Sequence, residues 1–299
     1  MIAIDLGSNS FRAITYDCES GQFGKDYEAI VKTADKLHQT SIISEGAVFR
    51  ILHALQEADQ KLTFSEHTIK AVTTQAMRKA TNSQEVLVQI EKKSGVRFEI
   101  IDADKEAYYT LIAVEARLKA LQMQSEHFVL IDVGGGSTEI IFYKDGKMES
   151  KSFPIGIVTT AQICDEGQEI HAYLDAQFTP LVEYVRNYYK NISKPTAFVA
   201  TAGTPTTMAA YLLGMNYRDY DVDKINGYKL SLQDTHKVLD GLMALSESER
   251  ADIVGVGRES LILAGIVIVQ KLYNVLGFNK AVVIDDGVRE GVAIASCVD

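Results

Sequence analysis

Two short segments hold the residue types that handle phosphate. Ile4-Asp5-Leu6-Gly7-Ser8-Asn9-Ser10 and Ile131-Asp132-Val133-Gly134-Gly135-Gly136-Ser137 each bring an apolar run to an aspartate, turn on glycine and resume after a serine. Glycines without side chains let backbone N–H groups approach an anion and form a concave nest. Ser8, Asn9, Ser10, Ser137 and Thr138 add side-chain donors. Asp5 and Asp132 repel a phosphate directly, but each can hold a divalent cation, through water, that bridges to phosphate oxygens. One such segment alone also reads as an ordinary hairpin turn, since Gly and Ser dominate turns. A matched pair, each with Asp at a strand end, favours two phosphate loops facing one another.

The elements that must carry these loops follow from periodicity. Ile2–Leu6, Phe11–Tyr16 and about 23–33 read as three strands, and Val48, Ile51, Leu52, Leu55, Ala58 and Leu62 as one face of a helix. Then come a strand at 69–74, a helix at 83–94, a strand at 98–102 and a helix from about 104 to 121, with Asp102 or Asp104 as its cap. The pattern restarts with strands at 128–133, 138–143 and 148–153, helices at 156–164 and 168–190, and a strand at 196–201. Residues 259–276 are apolar nearly all round, and their length selects a buried helix; a strand at 281–284 and a helix at 288–296 follow.

Shifting the chain so that Ile4 falls on Ile131, an offset of 127, also lays Val72-Thr73-Thr74 on Val199-Ala200-Thr201. Ile101-Asp102 matches Ile284-Asp285 only at an offset of 183, which implies an insertion of 56 residues in the second half. The chain therefore reads as a duplicated β-β-β-α-β-α-β-α unit of α/β class. The domains are residues 1–119 and 120–299, the second with a helical insertion at about 214–280. The last helix, 288–297, is expected to pack back on the first domain.

Composition bounds the rest. The chain has 299 residues, 40 acidic against 30 basic side chains, a net charge of −10 and 46% apolar content. That is a globular protein of about two domains, and its acidity argues against nucleic acid as partner. Cys18, Cys164 and Cys297 are widely spaced and odd in number, so a disulfide framework or thiolate zinc site is not expected; all three read as buried thiols. No basic leader opens the chain and no apolar run reaches a membrane span, so a cytoplasmic protein with no membrane partner is expected. The run Leu261–Val269 serves either a core or an interface, which leaves a homodimer open. P-loop and Rossmann fingerprints are absent from the sequence.

The duplicated hairpins resemble those of the superfamily of actin, sugar and acetate kinases and heat-shock chaperones. Within it, the chain resembles the short form of the exopolyphosphatase / guanosine pentaphosphate phosphohydrolase family. The resemblance rests on Ala3–Phe11, on Val72–Asn82 with its Thr-Gln-Ala-Met-Arg run, on Ile131–Glu139, on Ala202-Gly203-Thr204 and on Asp286-Gly287-Val288-Arg289-Glu290-Gly291. It implies two ribonuclease-H-like (actin-like ATPase) domains with an interdomain cleft. It also implies Mg²⁺-assisted hydrolysis of a terminal phosphoanhydride of polyphosphate or guanosine pentaphosphate. Glu106 then matches the base that activates water, Arg78 a phosphate-binding arginine, and Asp5, Asp132 and Glu139 the metal and site carboxylates. The loop residues Ser8, Asn9, Ser10, Gly134, Gly135, Gly136, Ser137 and Thr138 would bind substrate.

Departures are local. The family's Glu-Glu-Ala-Arg around the base is Lys105-Glu106-Ala107-Tyr108 here, and Lys36 stands where Gly is common. Long members carry a further C-terminal helical module without counterpart here, so shorter polymers or guanosine pentaphosphate are the expected substrates. A phosphotransferase of the same superfamily and a non-catalytic polyphosphate or nucleotide sensor are the competing readings.

Overall fold

Ile2, Ile4 and Leu6 are buried in one core cluster and Ala3 in another, so β1 (Ile2–Leu6) is covered on both faces. The computed structural model describes residues 1–123, 126–164 and 168–297. It divides into two units, Met1–Glu115 with Asp286–Asp299, and Ala116–Asp285.

In the first unit β1 pairs antiparallel with β2 (Ser10–Asp17), which pairs with β3 (Gln22–Ile30). A short turn, α1 (Leu37–Thr40), leads to α2 (Glu45–Leu62), whose buried face is Ala47, Val48, Ile51, Ala54, Leu55, Ala58 and Leu62. Ser44 caps α2 by accepting the Ala47 amide at 3.2 Å. β4 (Ile69–Thr73), α3 (Gln75–Lys79), α4 (Ser83–Ser94), β5 (Phe98–Ile100) and α5 (Ala103–Ala120) follow. β4 and β5 add to β1 in parallel, giving the order β3-β2-β1-β4-β5. The helix α5 passes from the first unit into the second after Glu115.

The second unit repeats this plan. β6 (His127–Val133), β7 (Thr138–Lys144) and β8 (Lys147–Phe153) form the antiparallel part, followed by α6 (Ile157–Ile163) and α7 (Gln168–Asn191). β9 (Ala197–Thr201) joins β6 in parallel, and α8 (Gly203–Leu212) follows it. The inserted segment holds α9 (Val222–Ile225), β10 (Tyr228–Ser231), α10 (Leu232–Met243), α11 (Glu247–Val254) and α12 (Leu261–Leu276). β11 (Lys280–Val283) then completes the order β10-β11-β9-β6-β7-β8. Without β10 this is the first sheet's order, so both units are ribonuclease-H-like and the α/β duplication holds.

Several expectations change. The insertion is not wholly helical, because β10 extends the sheet antiparallel to β11. The repeat offset drifts: Val72 lies opposite Asp5 but Thr201 opposite Asp132, so at this strand it is 129, not 127. A two-residue shift preserves the alternation of side chains between faces, which is why the sequence match did not expose it. The run Leu261–Val269 belongs to the core, since Ile262 to Val269 are all buried in α12. That removes the interface reading for this run.

The last helix, α13 (Val288–Ala295), buries Val288, Val292 and Ala293 with Ala3, Ile14, Val72 and Tyr109 on the second face of the first sheet. A Cβ on Gly291 would come within 1.9 Å of the Tyr109 carbonyl oxygen, so only glycine permits this crossing of α13 over α5. The return of α13 also brings Cys297 to Cys18, and the two form a disulfide with Cα atoms 5.4 Å apart. The expectation of three buried thiols is thereby corrected, with Cys164 the remaining buried thiol. No sequence spacing marks this bond, because its partners are 279 residues apart. No helix among the described residues is long and apolar enough to cross a membrane.

Candidate active site

Three connections leave the same edge of the first sheet. Leu6 ends β1 opposite Thr73 of β4, and Thr73 lies opposite Ile100 of β5. The Thr73 hydroxyl donates to the Leu6 carbonyl at 2.8 Å, and the Ile101 amide to the Thr73 carbonyl at 3.0 Å. Residues 7–9, 74–78 and 101–106 therefore emerge side by side at the carboxyl ends of parallel strands, where α/β sheets bind ligands.

In the first connection the loop turns its carbonyls into the fold. Gly7 donates to Ser10 at 2.9 Å; the Asn9 carbonyl accepts from Val31 and Lys32, both at 2.9 Å, and the Ser8 carbonyl from Ala34 at 2.8 Å. Ser8 and Asn9 are buried, and Ser10 is half-buried. A loop whose carbonyls are held inward is suited to present its amides to an anion. Asp5 lies opposite Arg12 in the β1–β2 register, and Arg12 in turn pairs with Glu28 at 3.4 Å.

The other two connections meet in an ion pair. Arg78, near the end of α3, donates from one nitrogen, Nη1, to the Ile101 carbonyl and to Glu106 Oε2, each at 2.7 Å. Glu106 is 8% exposed and stands in the first turn of α5, where the helix dipole favours a carboxylate. Asp102 caps that turn by accepting the Lys105 amide at 2.8 Å. Lys105, the residue that departs from the family pattern, turns to Glu99 at 2.6 Å, and Lys70 reaches the same carboxylate at 2.7 Å. Hydrogen bonds from Lys105 and then Lys70 hold the Glu99 carboxyl below its ordinary value; the Glu99 bond likewise raises Lys105. Tyr108 is exposed.

The second unit builds its loop with a helix. The Gly134 amide donates to Ser137 at 2.9 Å. The Gly134 carbonyl accepts from Ile157 at 3.1 Å, and the Gly135 carbonyl from Val158 at 2.8 Å and Thr159 at 3.4 Å. These donors are the first-turn amides of α6, which lack partners within their own helix. A Cβ on Gly156 would fall 2.3 Å from the Gly136 backbone, so glycine is required for this approach. Ser137 is buried; Thr138 is wholly so, and its hydroxyl donates to the Ile155 carbonyl at 2.6 Å, bracing the strand end.

Asp132 lies directly opposite Glu139 in the β6–β7 register. Glu139 is 2% exposed and accepts from the Ser152 hydroxyl at 2.7 Å. Two carboxylates opposed across a strand pair repel without a countercharge. They suit a hard cation held through one or two carboxylates, with water and phosphate completing its shell. No group of three or more His, Cys, Asp or Glu disposed to hold a metal occurs among the described residues. The residues thus fit a cation shared with a phosphate ligand rather than a closed protein cage.

Two features at the matching edge of the second unit escaped the sequence reading. Ala202, just past β9, has φ 71° and ψ −179°, a conformation that costs an L-residue about 1–3 kcal/mol and recurs at functional sites. Next to it, the Arg258 guanidinium comes so near Gly203 that a Cβ there would lie 2.3 Å from Nη2. The Ala202-Gly203-Thr204 run could have flagged the first; nothing local flags Arg258.

Residues 25–298 match the model of the Ppx/GppA phosphatase family. Exopolyphosphatase 2 of Mycobacterium tuberculosis is 25% identical over 98% of this chain and 97% of its own length. The bifunctional 3-dehydroquinate synthase/phosphatase of Fusobacterium nucleatum is 24% identical over 92% of this chain, which spans 43% of that longer relative. The crystal structure of the Aquifex aeolicus Ppx/GppA phosphatase is 28% identical, with 98% of each chain covered and a TM-score of 0.71. An exopolyphosphatase structure from Cytophaga hutchinsonii shares the fold at a TM-score of 0.85 and 23% identity, covering 99% of this chain and 96% of that one.

Proposed function

The chain belongs to the Ppx/GppA phosphatase family, and on that premise we propose that it is a phosphohydrolase that releases the terminal phosphate of inorganic polyphosphate. Guanosine pentaphosphate presents the same kind of bond and is the second substrate of this reading. The observation that carries it is the convergence at one sheet edge of the Ser8–Asn9–Ser10 loop, Arg78 and Glu106.

In this reading the amides of the Ser8–Ser10 loop donate to phosphate oxygens, and the loop of the second unit has those of Gly135, Gly136 and Ser137 for the same use. Arg78 offsets phosphate charge with the planar fork of its guanidinium. Glu106, held in place by Arg78, orients the attacking water and takes its proton at a carboxylate oxygen; the phosphoanhydride breaks and the shortened chain leaves. Asp132 and Glu139 would hold Mg²⁺ or an equivalent ion. When bound, the ion would offset the charge of the phosphate oxygens.

The Arg78–Glu106 bond also gives the sensor reading a foothold, since one oxygen of the carboxylate is already engaged by the arginine. One experiment separates the readings: purified protein with Mg²⁺ is given long polyphosphate, short polyphosphate and guanosine pentaphosphate, and free phosphate is measured. Phosphate release without an acceptor, absent under chelation, supports hydrolysis. Tight binding without release supports the sensor, and transfer to an acceptor supports a kinase.

A further inference from the structure

The two loops are held differently, and the difference picks out a residue far from them in sequence. In the second unit, α6 offers its first-turn amides to the carbonyls of Gly134 and Gly135, so a regular helix fixes the loop. The corresponding segment of the first unit, 31–34, is irregular and lies between β3 and α1. Its Lys32 has φ 49°, a left-handed conformation that a lysine adopts only under constraint from its surroundings. Yet this strap supplies three amides, from Val31, Lys32 and Ala34, to the carbonyls of Asn9 and Ser8.

The constraint comes from α2. Arg50 Nε donates to the Val31 carbonyl at 2.8 Å and Nη2 to the Lys32 carbonyl at 3.3 Å, while Asp35 lies 4.0 Å from the same guanidinium. The Val31–Lys32 peptide unit is thus gripped from both sides, with Arg50 on its carbonyl and Asn9 on its amide. Planar, two-point donation holds a backbone direction in a way a single ammonium cannot. The side chain sits on α2 between Ala47, Val48 and Ile51, Ala54, all buried, so its origin is fixed by the core.

We infer that Arg50 is a positioning residue for the Ser8–Asn9 loop, replacing in the first unit the helix that steadies the loop of the second. The inference rests on the proposed use of that loop for phosphate. Arg50 holds the strap, the strap holds the carbonyls, and the amides keep the direction an anion needs. Its loss blurs ground-state binding more than chemistry, because Arg78 and Glu106 are anchored on α3 and α5.

The test compares wild type with Arg50→Met and Arg50→Lys by two readouts. Amide hydrogen exchange at Val31, Lys32 and Ala34, measured without substrate, should speed at least about tenfold in Arg50→Met and less in Arg50→Lys. In phosphate release from polyphosphate, Arg50→Met should raise KM about tenfold with kcat within about twofold, and Arg50→Lys should recover part of the loss. Unchanged exchange at the strap, or a fall in kcat at constant KM, overturns the positioning role. A wild-type protein that neither binds nor hydrolyses polyphosphate removes the phosphate reading instead, and the exchange result still decides whether Arg50 holds the strap.

Discussion

Arg78 and Glu106, 28 residues apart, are joined at 2.7 Å, and the same Arg78 nitrogen holds the Ile101 carbonyl. The arginine therefore ties the connection after β4 to the one after β5 and fixes the carboxylate at the sheet edge. Arg78→Met leaves Glu106 nearly buried without its countercharge. Loss of the bond should cost about 1–3 kcal/mol of stability and at least about 10²-fold in kcat/KM. Thermal unfolding together with steady-state phosphate release checks both. A variant with unaltered kcat/KM would show that Arg78 serves only the fold.

The crossing of α13 over α5 leaves no room for a methyl group at Gly291. Gly291→Ala should destabilise the protein by about 1–3 kcal/mol or more, since the obstacle is backbone and cannot swing aside. Urea unfolding of the first unit is the measurement. An unchanged midpoint would mean that the helix shifts freely.

Cys18 and Cys297 tie the β2–β3 turn to the end of α13. Reduction should lower stability by about 2–4 kcal/mol, and Cys18→Ser should match the reduced wild type and ignore reductant. Unfolding midpoints with and without dithiothreitol read this directly.

Glu99 links β5 to α5 through Lys105 and to β4 through Lys70. Its pKa lies below the ordinary 4.5 in the folded protein, so its stabilising contribution is present above that value and fades as pH falls through the lowered one. The group is two-fifths exposed in its side chain, so the contribution is below about 1 kcal/mol. Glu99→Gln should have a lower Tm than wild type near neutrality, and the gap should close on acidification. A gap that widened in acid would contradict the sign.

Much of this architecture was legible in the residues. The Asp-Gly-Ser hairpins announced the duplication because their turn chemistry is local. α12 was legible by length, since sixteen residues, apolar nearly all round, exceed any strand among the described residues. Contacts between distant residues were not. The Arg78–Glu106 bond, the Arg50 strap and the Cys18–Cys297 bridge join residues whose separation carries no periodic signal. β10 stayed hidden because four residues next to a strongly amphipathic helix are too few to display alternation. Lys105 looked in the sequence like a disturbance of Glu106, yet its partner is Glu99, a contact set by the β5–α5 turn.

In the proposed reaction Glu106 is the group that activates water. The most direct measurement is kcat for phosphate release from polyphosphate with Mg²⁺, for wild type and Glu106→Gln, with folding checked by circular dichroism. Glu106→Gln should keep the wild-type fold and lose about 10²–10⁴-fold in kcat. A folded Glu106→Gln with wild-type kcat would contradict the account.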